Sequence, residues 1–245
     1  IDLKELAESK DILLIEDAAE SFGSKINNKR AGSFGDAAMF SLCQNKVITT
    51  GEGGLIVTDS HEIYEKMKLI RSHGRVEKKG YEYFSTTKEL DYVDIGYNFR
   101  MSTITAALGL SQLEKIDKLI RMRREKATFY NKKLASIDEL TLPYEKQNQK
   151  HVYQMYTIKL KNSRLRDGLQ KYLTEKDIMT KVYFHPIHLK SYYKHKFGYK
   201  KGYLPKTEEL SEKVLTLPLY ASMPEKELNY VANSIKNYFR EGQIT

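Results

Sequence analysis

Lys46 has the surroundings that most favour chemistry, because it stands between a short apolar run that includes Phe40 and Leu42 and a glycine-rich turn at residues 51–54. An amine on a flexible stem, desolvated at the end of a strand, can form a Schiff base with an aldehyde cofactor. After a substrate amine displaces it, the same amine can move a proton between two carbons. The alternative is a surface lysine, one of 41 lysines and arginines, and position alone favours that alternative.

Asp17 is the second candidate, just past the apolar run at residues 12–15. Ligands of open α/β sheets collect beyond the carboxyl ends of strands. A buried carboxylate there needs a cationic partner, such as a protonated pyridine nitrogen. That pairing keeps the ring protonated, so that the ring can withdraw electrons from a neighbouring carbanion. A helix N-cap or loop carboxylate is the alternative, and for Asp17 taken alone it is favoured.

Two polar side chains could hold an anionic ligand. Ser41 lies five residues before Lys46, close enough for its hydroxyl to donate to a phosphate. Asn98 precedes a long helical pattern, where amide donors can bind an anion or simply serve the helix start. The glycines at 51, 53 and 54 permit tight backbone turns near a ligand, with an ordinary hairpin turn as the alternative.

The elements that must position these residues follow an α/β pattern. Residues 12–15 are continuously apolar, as expected of a strand buried on both faces of a parallel sheet, and residues 21–36 are polar and contain glycines, which predicts a loop. The other predicted elements are the end of a helix at 2–9, strands at 37–42 and 54–59, a helix over Ile63, Met67 and Ile70 that ends near Gly74, a surface excursion at 76–95, and a long helix from Ser102 to about residue 135.

Residues 141–143 interrupt the helical pattern and mark the predicted domain boundary. Beyond it the pattern predicts a strand at 152–160, a helix at 165–173, a strand at 179–184, a loop rich in Tyr, His and Lys, and helices near 206–215 and 225–240. We therefore predict part of an α/β domain with a mixed sheet over residues 1–140 and a small α+β domain over residues 141–245.

Composition limits the classes of function. The hydrophobic content of 40% supports a buried core, while no apolar run reaches membrane-spanning length and no secretory pattern occurs. The single cysteine, Cys43, cannot form an internal disulfide, which indicates a reducing cytoplasm. The net charge of +9 favours anionic partners such as phosphorylated metabolites, nucleotides or nucleic acid. No metal site is predicted.

An ordered set of short motifs resembles the DegT-type sugar aminotransferases. These are fold-type I pyridoxal 5′-phosphate (PLP) enzymes that aminate keto sugars attached to nucleotides. The match is dense from residue 12 to about residue 115, and beyond residue 140 it rests mainly on Pro186-Ile187-His188-Leu189. The motifs are Ile15-Glu16-Asp17-Ala18-Ala19, Gly32-Ser33-Phe34-Gly35-Asp36, Phe40-Ser41 with Lys46 five residues on, Thr50-Gly51-Glu52-Gly53-Gly54 and Gly96-Tyr97-Asn98-Phe99-Arg100-Met101.

The resemblance implies a role for each matching residue. Lys46 would carry the cofactor, Asp17 would bind the pyridine nitrogen, and Ser41 would hold the phosphate. Asn98 would reach the phosphate of the cofactor in the other subunit of a homodimer with shared active sites. His188 would lie near the entrance for the sugar nucleotide, with a histidine that caps a turn as its alternative. The amino donor implied is glutamate.

Two departures from the family pattern bear on the site. Glu20 stands where many members have Gln or His, a residue placed to touch the cofactor ring or its 3′ oxygen. A carboxylate beside a phenolate oxygen is repulsive unless one of them is protonated. The family's N-terminal third has no counterpart here, including a turn whose amides hold the phosphate. The resemblance therefore predicts that part of the central sheet and of the phosphate cup is missing, and that this chain alone binds PLP poorly.

Three other functions fit part of the pattern. A PLP-dependent sugar dehydratase of the same fold replaces the lysine with histidine, so Lys46 argues against it. A catalytically incomplete fragment could dimerise or bind nucleotides, and the missing N-terminal third favours that alternative for this chain. Single-stranded nucleic acid would suit the lysines at 194, 196, 200 and 201 and the aromatic residues between them. For that cluster, a solvated face ranks first, a nucleotide sugar second and nucleic acid last.

Overall fold

The computed structural model describes residues 2–76 and 90–241, which form two compact units. The N-terminal unit comprises Ile1–Lys118 and Gln147–Val152, and the C-terminal unit comprises Leu119–Lys146 and Tyr153–Thr245. The predicted domain boundary at residues 140 and 141 differs from this division and stays a prediction. Most of the predicted excursion at 76–95 lies outside the described residues. Within the described ranges, no helix is long and apolar enough to cross a membrane.

The described residues form both helices and strands. They are, in order, α1 (Asp2–Ser9), β1 (Ile15–Asp17), β2 (Lys25–Ile26), β3 (Lys29–Arg30), β4 (Ala37–Ser41), β5 (Gly54–Val57), α2 (His61–Arg71), α3 (Thr103–Leu113), α4 (Ile116–Leu134), β6 (Leu140–Thr141), β7 (Gln149–Lys150), β8 (Tyr156–Leu160), α5 (Ser163–Thr174), a 3-10 helix (Ile187–Leu189), α6 (Ser191–Phe197), α7 (Pro205–Lys213), β9 (Val214–Leu217) and α8 (Glu225–Glu241).

A mixed three-stranded sheet in the order β1-β4-β5 forms the centre of the N-terminal unit. β1 runs parallel to β4, with Asp17 opposite Met39, and β5 runs antiparallel to β4, with Gly54 opposite Ser41. The mixed sheet and the strands predicted at 37–42 and 54–59 are therefore confirmed. Because β1 and β4 are parallel, their carboxyl ends lie at the same edge of the sheet.

The burial predicted for residues 12–15 is wrong. The strand begins only at Ile15, and the side chains of Ile12, Leu13 and Ile15 are exposed. The physical reason is that β1 is the edge strand of the described sheet and pairs on one side only, with β4. No second layer within the described residues covers these side chains.

The loop predicted at residues 21–36 contains a short hairpin that sequence reasoning missed. β2 and β3 pair antiparallel, and β2 also pairs with β7. Asn27 and Asn28 connect the two strands with φ values of 50° and 63°. Asparagine tolerates this left-handed conformation better than most residues, and two such residues in succession suit a two-residue hairpin turn. The Asn-Asn pair was therefore an available signal.

The single long helix predicted from Ser102 to about residue 135 is two helices, α3 and α4, interrupted at residues 114–115. Ser102 is the N-cap of α3, and its hydroxyl accepts a hydrogen bond from the Thr105 amide at 3.2 Å. None of the residues of α3 is buried, whereas α4 buries Tyr130 and Leu134, among others, in the core of the C-terminal unit. A continuous helical pattern therefore hid two helices with different environments.

An antiparallel sheet in the order β6-β8-β9 forms the C-terminal unit together with α4, α5 and α8. The core between them includes the buried side chains of Tyr156, Leu169, Leu215 and Ile235. The helices predicted at 165–173, 206–215 and 225–240 are confirmed as α5, α7 and α8. The strand predicted at 179–184 is wrong, because the structure has only an isolated bridge there, from Lys181 to Thr216 of β9.

A buried arginine joins distant segments of the C-terminal unit. Arg123 Nη1 donates to the backbone oxygens of Tyr153, Gln154 and Leu219 at 3.2–3.3 Å. Burial lowers the pKa of the Arg123 guanidinium. A planar guanidinium can serve several acceptors at once, so one side chain ties two loops to the helix α4.

Candidate active site

Lys46 lies in the turn that follows β4, and its neighbours fix its backbone. Its amide donates to the Cys43 oxygen at 3.0 Å. The Leu42 amide donates to the Gly53 oxygen, and the Leu42 oxygen accepts from the Thr50 amide, both at 2.9 Å. Leu42, Val47 and Ile48 are buried on either side of the turn. The sequence therefore places an amine between buried apolar anchors, as predicted for a lysine at a strand end.

Gly53 is required by the backbone of this turn. Its φ of +154° is rare for residues with a side chain, and a Cβ there would lie 2.6 Å from Thr50 Oγ1 and 2.9 Å from Met101 Cε. Gly51 also has a positive φ, of +82°, but its Cβ would meet open space. Turn geometry thus accounts for both residues without any ligand contact.

Glu20 is the partner of Lys46. Its Oε1 lies 2.8 Å from Lys46 Nζ, in the turn that follows β1. The Lys46 side chain is only 13% exposed, whereas that of Glu20 is 39% exposed. Sequence reasoning placed Glu20 beside a cofactor oxygen, and did not foresee that it would pair with the lysine 26 residues further along the chain.

Asp17 and Ser41 lie at the ends of the two neighbouring parallel strands. Asp17 ends β1, and its Oδ1 accepts a hydrogen bond from the Ala19 amide at 3.1 Å. Ser41 ends β4, and its hydroxyl accepts from the Cys43 amide at 3.3 Å. Asp17 was expected to be buried, but it is exposed among the described residues because β1 is an edge strand.

Glu16 is a supporting residue that sequence reasoning did not single out. Its carboxylate accepts three backbone hydrogen bonds, from the amides of Gly32, Phe34 and Gly35 at 2.5–2.8 Å. In a strand, successive side chains point to opposite faces, so Glu16 grips the loop before β4 while Asp17 points the other way. The adjacent acidic pair in a strand was the available signal.

Asn98 lies in a segment that runs beside the end of α2. Its backbone forms an isolated bridge with Ser72, and its side chain is exposed. Within the described residues, 2–76 and 90–241, no hydrogen bond joins Asn98 to Lys46, Asp17 or Ser41. Its proposed contact with the phosphate of another subunit's cofactor stays a prediction.

His188 is buried in the C-terminal unit, where it is bound to a residue that sequence reasoning missed. Its Nε2 donates to Glu208 Oε1 at 2.8 Å, and the same carboxylate accepts from the amides of Gly202 and Leu204 at 2.8–3.2 Å. The 7% exposure of both side chains gives His188 a structural role in its own unit. Its contact with substrate stays a prediction.

The residues at the strand ends of the N-terminal unit fit an aldehyde cofactor with a ring nitrogen and a phosphate. Lys46 supplies an amine, which is bound to the carboxylate of Glu20, and Ser41 supplies a hydroxyl. Asp17 Oδ2 receives no hydrogen bond from the described residues, so it is available to a cationic nitrogen. These three groups match the chemistry of PLP.

The chain belongs to the DegT/DnrJ/EryC1/StrS aminotransferase family, whose pattern it matches over residues 2–236. It is 34% identical over 99% of its length to an uncharacterized protein of Methanocaldococcus jannaschii, and 35% identical over 97% to the GDP-perosamine synthase of Escherichia coli O157:H7. The chain spans 64% and 61% of the lengths of these two proteins.

The fold is similar to that of solved structures in this family. Helicobacter pylori PseC, an aminotransferase involved in the biosynthesis of pseudoaminic acid, superimposes with a TM-score of 0.87 at 30% identity. The similarity covers 97% of this chain and 62% of PseC. The prediction of a fold-type I PLP-transferase architecture is confirmed.

The buried carboxylate of Glu208 generates a prediction about pH. The hydrogen bond from His188, followed by that from Gly202, holds the pKa of Glu208 below its ordinary value. A lowered folded-state pKa stabilises the fold at pH values above the unfolded pKa of about 4.3, and this contribution is lost as the pH falls through the lower folded value. We expect Glu208→Gln to lower stability at neutral pH and to flatten the decline of stability as the pH falls below the ordinary carboxyl pKa of about 4.3.

Denaturant unfolding followed at several pH values measures this difference. Glu212→Gln is the matched control, since Glu212 is exposed on the same helix, α7. The role of Glu208 is contradicted if the two variants show the same pH dependence.

Proposed function

We propose that the protein is a PLP-dependent aminotransferase that transfers an amino group, from glutamate, to a keto group of a nucleotide-linked sugar. The observation that carries this proposal is the placement of Lys46, Asp17 and Ser41 at adjoining ends of the parallel strands β1 and β4. Membership of an aminotransferase family supports it. The two reported relatives of known role, a GDP-perosamine synthase and PseC, support a sugar substrate.

Each residue has a defined task in this proposal. PLP, when bound, supplies an electron sink for the carbanion that forms next to the amino nitrogen. Asp17 pairs with the ring nitrogen and keeps it charged. Ser41 donates its hydroxyl to the phosphate. Lys46 Nζ attaches the cofactor and later moves a proton between two carbons.

A lysine-rich aromatic segment at residues 190–204 supports a nucleotide-linked substrate. It contains five lysines and no acidic residue. Its rings form a continuous series, with centroid distances of 5.6 Å from Phe197 to Tyr199 and 5.7 Å from Tyr199 to Tyr203. Phe197 and Tyr203 are exposed. Exposed rings can stack on a base, and lysines can pair with a diphosphate.

The exposed apolar side chains around Asn98 support a homodimer with shared active sites. Ile95, Phe99 and Ile104 are 70–85% exposed in this chain. Large exposed apolar patches are typical of protein interfaces. If a partner subunit covers this surface, Asn98 of one subunit would lie close to the cofactor of the other subunit. We place the enzyme in the cytoplasm, since the lone Cys43 suits a reducing compartment.

Lys46 provides the direct test of the cofactor. In a large excess of PLP, which offsets the weak binding expected of this chain alone, we expect the purified protein to show the visible absorption band of a lysine-bound cofactor. Lys46→Ala should lose that band and lose transamination by at least about a thousandfold, because the amine that attaches the cofactor is removed. Lys10→Ala, which changes an exposed lysine, is the control. A normal band in Lys46→Ala would refute the assignment.

The lysine-rich segment provides a test of the nucleotide. We expect the double variant Lys200→Ala and Lys201→Ala to weaken binding of GDP or UDP about tenfold, since two phosphate partners are lost. Calorimetric titration at low and high salt measures this loss, which should shrink as salt screens the lysines. Lys206→Ala with Lys226→Ala, both exposed outside the segment, is the control. Equal affinities would argue against a nucleotide at this segment.

The apolar surface near Asn98 provides a test of assembly. Ile104→Glu buries a charge in the proposed interface, while the start of α3 tolerates an acidic side chain. We expect this variant to sediment as a monomer and to lose the visible band. Met179→Glu changes an equally exposed residue, 89% exposed in the C-terminal unit, and should stay dimeric. A dimeric Ile104→Glu would exclude this surface.

A further inference from the structure

The ion pair between Glu20 and Lys46 is a feature of the site that has no role in the proposed function. Glu20 Oε1 lies 2.8 Å from Lys46 Nζ. Both residues follow strands that run parallel, β1 for Glu20 and β4 for Lys46. The turn after β1 is held by a hydrogen bond from the Ser21 amide to the Ala18 oxygen at 3.0 Å. The contact therefore joins two ordered turns at one edge of the sheet.

The burial of the two side chains is unequal, and this difference decides what the pair does. Lys46 is 13% exposed, so an ammonium group there has little water to hydrate it and needs a counterion. Glu20 is 39% exposed, so its carboxylate is hydrated whether or not the lysine is present. The pair therefore constrains the position of the Lys46 side chain more than that of Glu20.

The chemistry of an aldehyde requires the Lys46 nitrogen to be free of this partner. An amine must lose its extra proton before its nitrogen can attack an aldehyde carbon. The new carbon–nitrogen bond then forms, and the aldehyde oxygen leaves as water. At 2.8 Å, the Glu20 carboxylate engages the Lys46 nitrogen in an ion pair that must break before the attack. Glu20 therefore opposes the attachment step and favours the state in which Lys46 is released.

We propose that Glu20 is a positioning residue whose ion pair holds the released Lys46 in place during the steps in which the cofactor is not attached to it. This inference rests on the proposed function, since an aminotransferase releases and recaptures its lysine in every cycle. Glu20 keeps the lysine head at the strand end, so that it does not swing into solvent. It also limits the rate at which the amine reacts with an aldehyde.

The reactivity of Lys46 in the protein without cofactor tests the proposal. Formaldehyde with cyanoborohydride methylates amines, because the amine condenses with the aldehyde and the reagent supplies the hydride. Peptide mass spectrometry then gives the rate at each lysine. At neutral pH, we expect Glu20→Gln to raise the rate at Lys46 about fivefold, which corresponds to losing one partly exposed ion pair. The exposed Lys10 serves as the internal reference and should keep its rate.

Two further variants separate this role from a general loosening of the site. Glu20→Asp retains a carboxylate and should bring the Lys46 rate back towards that of the unchanged protein. Glu52→Gln alters a carboxylate in the neighbouring glycine turn, which accepts a contact from Cys43 Sγ at 3.6 Å, and should leave the Lys46 rate unchanged.

Equal Lys46 rates in Glu20→Gln and the unchanged protein would overturn the proposal, and so would an equal increase in Glu52→Gln. Circular dichroism identifies a variant that has not folded. If Glu20→Gln has not folded, Glu20→Asp decides the question. A Lys46 methylation rate in Glu20→Asp as high as in an unfolded chain would also overturn the proposal. These outcomes leave the cofactor test on Lys46→Ala standing, so the two proposals fail separately.

Discussion

The parallel pairing of β1 with β4 is the constraint on which the candidate site depends. It sets Asp17 opposite Met39 and brings the turns that follow the two strands to one edge of the sheet. Asp17 and Lys46 are 29 positions apart in the sequence, and no local interaction could place them together. Two carboxylates that have no proposed catalytic role stabilise this pairing. Glu16 binds three amides of the loop before β4, and Asp36 Oδ2 accepts from the Leu14 amide at 2.7 Å.

The adjacent residues Glu16 and Asp17 show how strand alternation divides labour. Both are acidic, and residue type alone does not distinguish them. The strand points one carboxylate at the loop of residues 32–35, where Gly35 has no room for a side chain because a Cβ would lie 2.4 Å from the Leu14 oxygen. It leaves the other carboxylate available at the end of the strand. One stabilises the scaffold and the other can bind a ligand.

Sequence reasoning found the strands at 37–42 and 54–59 because both are short, mainly apolar runs, and the second contains the β-branched residues Ile56 and Val57. It failed where the outcome depends on distant partners. The apolar run at residues 12–15 predicts burial in any sheet, but its exposure depends on whether a neighbouring strand exists. The Glu20–Lys46 pair depends on the register of two strands, and the His188–Glu208 pair on how α7 packs. Propensity and periodicity carry none of that information.

The way Glu208 holds its loop has a consequence for how this protein can change over evolution. Its carboxylate grips the backbone amides of Gly202 and Leu204, and not the side chains of the segment between residues 190 and 204. Amides are present whatever residue stands there, except proline. Lysines and tyrosines in this segment can therefore be exchanged without releasing the loop. The conformation of this loop therefore does not depend on its side chains. Substitutions there can change which ligand the segment prefers while the fold stays the same.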